Sequence, residues 1–223
     1  MVEAFESGVG GVPGVKICGI RSAGDAAVLI GAGADALGVN LYPGSKRFVD
    51  LGEAGGWLRE VEGEISRVAV VVNMALDEVR RVWGSGLLDA VQLHGDEDEA
   101  FCGALLDEGV ELVRAFRVRG DETLVEIGSS RVRYVLLDAY RKGEYGGTGE
   151  VFDWELANEV VVREAGKRVV LAGGLTVDNV GAAVAATGVA AVDVAGGVER
   201  EPGVKDADLV REFVARAKSV GRV

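Results

Sequence analysis

One histidine, two cysteines and no concentration of positive charge remove several classes of function from this 223-residue sequence before any motif is read. His94 stands alone, and Cys18 and Cys102 lie far apart with no metal-like spacing, so a Cys/His metal site is excluded. The balance is 24 basic against 36 acidic residues, a formal net charge of −12, and no stretch supplies the basic footprint that nucleic acid requires. No apolar run reaches the ~18 residues of a membrane span. The start, Met1 to Gly14, lacks the basic region and apolar core of a signal peptide, which makes a cytoplasmic location the expectation by elimination. There is no Ser/Pro-rich linker and no second composition zone, so residues 1–223 read as one domain.

What is present is a folded-protein composition, 48% hydrophobic, in a chain long enough to bury roughly 70–75% of its unfolded surface without a staple. Arginine far outnumbers lysine, and Asp, Glu, Ala, Val and Gly are abundant. That is the style of halophilic, salt-adapted proteins, and an ordinary acidic surface is the alternative. Net negative charge repels phosphate at long range, so any phosphate site must be built locally from backbone amides and dipoles.

Short β-branched runs alternate with longer amphipathic ones along the whole chain. The expected strands are Val15–Cys18, Ala34–Asn40, Arg67–Asn73, Ala90–His94, Leu112–Phe116, Tyr134–Asp138, Arg168–Ala172 and Ala190–Val194, apolar enough to be buried on both faces. The expected helices are Ser22–Gly33, Asp50–Glu62, Leu76–Ser85, Asp96–Glu108, Glu122–Gly128, Phe152–Ala165, Thr176–Ala186 and Asp206–Ser219. Eight β-then-α units imply parallel strands joined by crossover helices, and eight strands close a filled (β/α)8 TIM barrel. A doubly wound open sheet has the same alternation and remains the alternative. Barrel enzymes place their chemistry on the rim at the strands' carboxyl ends, where this sequence collects Cys18, Asn40, His94, Asp138 and Asp193. The period of two puts Asp138 on the face of Leu136 and Tyr134, and His94 on that of Gln92.

Two glycine pairs follow the last two strands, Gly173-Gly174 and Gly196-Gly197. Glycine lets a backbone approach an anion closely, and barrels often seat a phosphate in this pair of loops. Each pair alone reads equally as a tight turn; their occurrence in loops seven and eight together points to phosphate. A third glycine cluster, Gly143 to Gly149, reads as a lid or as a surface connection. Cys102 sits on a helix and reads as core.

The motifs Lys16-Ile17-Cys18-Gly19-Ile20, Gln92-Leu93-His94-Gly95, Leu136-Leu137-Asp138-Ala139, Gly146-Gly147-Thr148-Gly149 with Phe152-Asp153-Trp154, Leu171-Ala172-Gly173-Gly174-Leu175 with Asn179-Val180, and Val192-Asp193-Val194 with Gly197-Val198-Glu199 follow one another in order. The chain thereby resembles the phosphoribosylanthranilate isomerases, from residue 16 to about 206. The resemblance implies an Amadori rearrangement of an aminoaldose phosphate to an aminoketose, without cofactor or metal, on a phosphorylated small molecule, in a monomer or homodimer. It makes Cys18 the general base and Asp138 the general acid, and gives Arg47 the anthranilate carboxylate. His94 and Asp193 become active-site residues that orient substrate or stiffen the acid/base pair, with a purely structural histidine as the alternative for His94, and the two glycine pairs become the phosphate site. Such an acid must hold its proton above the ordinary ~3.9, and such a base must lose its own below the ordinary ~8.5. The cysteine therefore needs positive potential nearby, whose source the sequence does not reveal. Two departures stand out. Ala195-Gly196-Gly197 replaces the family's Ser-Ser-Gly, and the second strand ends Val39-Asn40-Leu41-Tyr42 where the family prefers aromatics; in addition, Lys46 replaces the proline before Arg47. The rivals are a related histidine-pathway or dual-substrate isomerase, which carries aspartate where this chain has Cys18, and a non-catalytic sugar-phosphate-binding barrel, against which the retained Cys18, Asp138 and Arg47 argue.

Overall fold

The computed structural model describes residues 3–6, 12–118, 121–139 and 154–220. Eight parallel strands, β1 (Gly14–Cys18), β2 (Ala36–Asn40), β3 (Ser66–Val71), β4 (Ala90–Leu93), β5 (Leu112–Val118), β6 (Tyr134–Ala139), β7 (Arg168–Leu171) and β8 (Ala191–Val194), hydrogen-bond in sequence order. Closure comes from β1 against β8, with Gly14 opposite Ala191 and Lys16 opposite Asp193. The open-sheet alternative is therefore set aside, and the barrel expectation holds.

A four-residue helical turn, α1 (Glu3–Glu6), precedes the barrel. The main helices are α2 (Ala23–Ala32), α3 (Leu51–Glu60), α4 (Leu76–Gly84), α5 (Glu99–Asp107), α6 (Asp121–Ser129), α7 (Trp154–Arg163), α8 (Val180–Thr187) and α9 (Ala207–Ser219). Local chemistry sets their ends. Ser22 accepts from the Asp25 N–H to open α2, and Gly33, at φ 76°, closes it in the left-handed region that glycine alone enters cheaply. Asp50, Asp98 and Asp206 cap α3, α5 and α9 in the same way. Two helices start later than the sequence suggests because side chains claim the preceding backbone. Glu97 accepts from the N–H groups of Gly95 and Asn73, which bends the chain before α5. Asn179 accepts from the Thr176 N–H and donates to the Gly174 carbonyl, which delays α8 to Val180.

The core has two shells. Val15, Ile17, Leu37, Val39, Val71, Leu93 and Leu171 pack outward on the helices, while Ala36, Val68, Ala90, Val113, Leu136, Val170 and Ala191 fill the barrel. Phe5 joins the inner shell at 1% exposure, its ring 5.8 Å from that of Tyr134. Glu6 beside it accepts from the Tyr134 hydroxyl at 2.7 Å and pairs with Arg133 and Arg168. After β8 the chain makes a 3-10 turn, Gly196–Val198, and a short antiparallel pair, β9 (Glu199–Glu201) with β10 (Val204–Lys205). No helix among the described residues is long and apolar enough to cross a membrane.

Candidate active site

Cys18 ends β1, and alternation along that strand turns Lys16 and Cys18 toward the barrel axis. The Gly19 and Ile20 N–H groups both donate to the Gly38 carbonyl at 2.9 Å, fixing the turn that follows the cysteine. Gly38 has to be glycine for a steric reason: a Cβ there would lie 2.9 Å from Cys18 Sγ and 3.1 Å from Lys16 Nζ. Lys16 is fully buried and donates to Asp193 Oδ1 at 2.8 Å from the neighbouring strand, with Cys18 as its second partner. Lys205, carried on β10, is buried and donates to the Ala195 carbonyl at 3.0 Å and to Glu199 Oε1 at 2.7 Å.

These two lysines are the positive potential that the sequence left unassigned. The net shift of Cys18 nevertheless runs against expectation. Burial pushes the thiol up, Lys16 and Lys205 pull it down, Asp193 pushes it up again, and the result lies above the ordinary thiol value. The expected depressed thiol is thus corrected: desolvation of a buried thiolate outweighs two cations, each of which is shared with a carboxylate. Cys102 behaves as expected of core, fully buried with its thiol raised to about 11, chiefly by burial.

Asp138 lies near the end of β6, 4% exposed, two residues from Leu136 on the inward face. His94 Nε2 is 3.2 Å from Asp138 Oδ2, and His94 Nδ1 is 2.8 Å from the amide nitrogen of Gln92. The structure thus joins His94 to Asp138, and Asp193 to the lysine beside Cys18. Asn40, also at the rim, spends its side chain on the Tyr42 N–H at 3.0 Å and so stiffens the loop after β2.

Arg47 lies under Gly19, where a Cβ would meet its Cδ at 2.4 Å. Its Nε and Nη2 each donate to Glu199 at 2.7 Å, a two-pronged pair that uses one edge of the guanidinium. Against the burial that pushes it up, the hydrogen bonds from Arg47 and Lys205 hold the Glu199 carboxyl below its ordinary value.

The two glycine loops are built against each other. Gly173 and Gly174 take φ of 81° and 67°, and the Asn179 amide buttresses them. A Cβ at Gly197 would fall 1.9 Å from the Leu175 carbonyl oxygen, so only glycine lets loop eight lie on loop seven. Gly196 has room: the nearest neighbour of a Cβ there is Arg47 Nη2, at 3.5 Å. The glycine cluster at 143–149, with Phe152 and Asp153, lies outside the described residues. A separate cleft of 520 Å³ is bounded by Leu41, Tyr42, Pro43, Met74, Arg81 and Val82 among others, and none of the candidate residues lines it.

Sequence reasoning missed Lys16, Lys205 and Glu199 as members of the site. Lys16 was within reach, since a lysine in a strand buried on both faces is an anomaly, and period two places it beside Cys18. Lys205 and Glu199 depend on the β9–β10 turn folding back over β8, which no local pattern announces.

The family model for N-(5'phosphoribosyl)anthranilate (PRA) isomerase matches residues 15–216. The N-(5'-phosphoribosyl)anthranilate isomerase of Geobacter sp. (strain M21) is 45% identical over 206 residues, covering 92% of this chain and 98% of that one. The crystal structure of phosphoribosyl anthranilate isomerase from Thermotoga maritima superposes with a TM-score of 0.84 at 34% identity, covering 93% of this chain and 99% of the other. A phosphoribosyl anthranilate isomerase in complex with reduced 1-(o-carboxyphenylamino)-1-deoxyribulose 5-phosphate superposes with a TM-score of 0.80 at 33% identity over 93% and 99% of the two chains. The chain belongs to the N-(5'-phosphoribosyl)anthranilate isomerase family.

Proposed function

We propose that this chain isomerises N-(5'-phosphoribosyl)anthranilate to 1-(o-carboxyphenylamino)-1-deoxyribulose 5-phosphate, with Asp138 as general acid and Cys18 as general base. The observation that carries the residue assignment is the placement of these two groups. Both are buried and both face inward at the carboxyl mouth of one barrel; Lys16, on the same strand, reaches the Cys18 thiol, and His94, just after β4, touches Asp138. Asp138 protonates the furanose ring oxygen, the C1–O bond breaks, and its electrons go to that oxygen. The anthranilate nitrogen supplies the pair that forms the C1=N bond, giving a protonated Schiff base. Cys18, as thiolate, removes the C2 proton; the C–H electrons form C1=C2, and the C=N electrons return to nitrogen. The enolamine then takes a proton at C1 as its C2 hydroxyl becomes the ketone. One acid and one base suffice, with no net redox change.

Burial raises the Cys18 thiol, and Lys16 and Lys205 stabilise the thiolate when it forms. Loops seven and eight receive the phosphate through the backbone amides around Gly173, Gly174, Gly196 and Gly197. Arg47 serves the anthranilate carboxylate through Nη1, the nitrogen that Glu199 leaves, while Glu199 holds the other edge of the fork. His94 and Asp193 set the acid and the base rather than gripping substrate. The enzyme works in the cytoplasm, as a monomer or a homodimer, on a phosphorylated small molecule.

The test is complementation of a tryptophan auxotroph that lacks the isomerase. Growth without tryptophan is expected from the wild-type chain and not from Asp138→Asn. Failure of a soluble, folded wild-type protein to restore growth contradicts the proposal. A parallel assay on the histidine-pathway aminoaldose separates the rival isomerase, for which turnover there would exceed that on the anthranilate substrate.

A further inference from the structure

We propose that Gln92 is a positioning residue that fixes His94 as the Nε2–H tautomer, so that the proton of Asp138 resides on the carboxyl oxygen that His94 does not touch. The inference rests on the reading of Asp138 as the general acid.

Gln92 is fully buried on the inward face of β4, one layer above Ala90. Its amide nitrogen is 2.8 Å from His94 Nδ1. An amide NH2 group can only donate, so Nδ1 must accept with a lone pair. A neutral imidazole has one N–H, which is then on Nε2, 3.2 Å from Asp138 Oδ2. An oxygen that receives this N–H is not the one carrying the acid proton, so the proton is confined to Oδ1. When it leaves for the sugar oxygen, the His94 N–H meets a full carboxylate, and the hydrogen bond becomes charge-assisted. The same contact thus directs the proton and stabilises what remains.

A second observation singles out Gln92. Its Oε1 is buried without a hydrogen-bond partner among the described residues. Buried amide oxygens are nearly always satisfied, and an aliphatic side chain of similar size would fill this layer of Ala, Val and Leu without that cost. What the amide supplies is the donor to Nδ1. Turned over, with Oε1 toward the ring, it would put the proton on Nδ1 and leave Nε2 to accept from Asp138, holding the acid's proton away from the sugar. The two amide orientations have opposite consequences for catalysis.

His94 is the sole histidine, so ¹⁵N-histidine labelling leaves a single imidazole to observe. Long-range proton–nitrogen correlation of the resting wild-type protein should show a bare Nδ1 and a protonated Nε2. In Gln92→Glu the carboxylate accepts from the ring, and the proton should move to Nδ1. In Gln92→Met the single tautomer should be lost. Both variants should lower kcat roughly 10–100-fold, as loss of supporting hydrogen bonds to a reactive group does, with KM within about twofold. A protonated Nδ1 in the wild type overturns the proposal whether or not either variant folds. An unchanged tautomer with unchanged kcat in both folded variants overturns it as well. Because the tautomer is read without turnover, the two readings fail separately. A protonated Nδ1 alongside an inactive Asp138→Asn variant removes only the role of Gln92, whereas a fully active Asp138→Asn variant removes Asp138 as the acid.

Discussion

The two mouths of this barrel are built to opposite rules. At the amino-terminal mouth, Phe5 sits on Tyr134 inside the inner shell, and Glu6 satisfies a hydroxyl and two arginines at once. At the carboxyl mouth the inward positions include Lys16, Cys18, Gln92, Asp138 and Asp193, all buried, with one amide oxygen left without a partner among the described residues. Burying such groups costs stability, and they persist where function needs them. The plug also lies outside the stretch that the family model matches, which begins at residue 15. The difference teaches that stability and chemistry are separable here, one at each end of the same eight strands.

Substitutions at either end should break that symmetry in opposite ways, and the largest effect belongs to the carboxyl mouth. Cys18→Ser and Asp138→Asn should each lower kcat at least roughly 10²-fold, with KM little changed and circular dichroism intact. Near wild-type turnover in either variant would move the chemistry elsewhere. Phe5→Ala should do the reverse, removing about 3 kcal/mol of stability, or roughly 6–12 °C in the melting midpoint, while kcat at low temperature stays unchanged. A melting midpoint equal to wild type would show that the plug is ornamental.

Smaller effects sharpen the picture of the carboxyl mouth. Gly196→Leu has steric room at its Cβ, so it should fold and raise KM about tenfold or more by crowding the phosphate amides. Gly197→Leu meets the Leu175 carbonyl and should damage folding instead. Lys16→Met removes the nearer cation, so the Cys18 thiol, already raised, should move higher still. The sign is readable because only the thiolate alkylates: the rate of iodoacetamide labelling at Cys18 should rise with pH in both proteins, with a later midpoint in the variant. A midpoint unmoved or earlier would contradict the placement of Lys16. The smallest effect concerns the acidic surface. If its −12 charge reflects salt adaptation, the melting midpoint should rise between dilute buffer and molar salt, and an unchanged midpoint argues against that view.

Most of the barrel could be read from the sequence, because doubly buried parallel strands advertise themselves as short Val/Leu/Ile runs, and Ser22 with Gly33 brackets a helix unaided. Boundaries slipped where side chains intercepted backbone groups, as Asn179 does before α8 and Glu97 before α5. At the site, Cys18, His94, Asp138 and Asp193 were visible as polar residues at strand ends. Their pairing was not, since the His94–Asp138 contact reaches across β5 and the Glu199–Arg47 fork joins the start of β9 to a turn 152 positions earlier. The sign of the Cys18 shift was missed for a related reason: it depends on how burial weighs against Lys16, Lys205 and Asp193, and no linear pattern records that sum. Nor did the first residues announce a plug, because a single phenylalanine in a short acidic stretch carries no periodicity.

The central claim is that the carboxyl mouth performs the isomerisation through Cys18 and Asp138. It is tested most directly by supplying purified protein with N-(5'-phosphoribosyl)anthranilate and following the aminoketose product by NMR, alongside the Cys18→Ser/Asp138→Asn double variant. The account predicts rapid, complete conversion by the wild type, and only the uncatalysed rate from a double variant with an unchanged melting midpoint. Conversion by the double variant within tenfold of wild type, or none by the folded wild type, would contradict it.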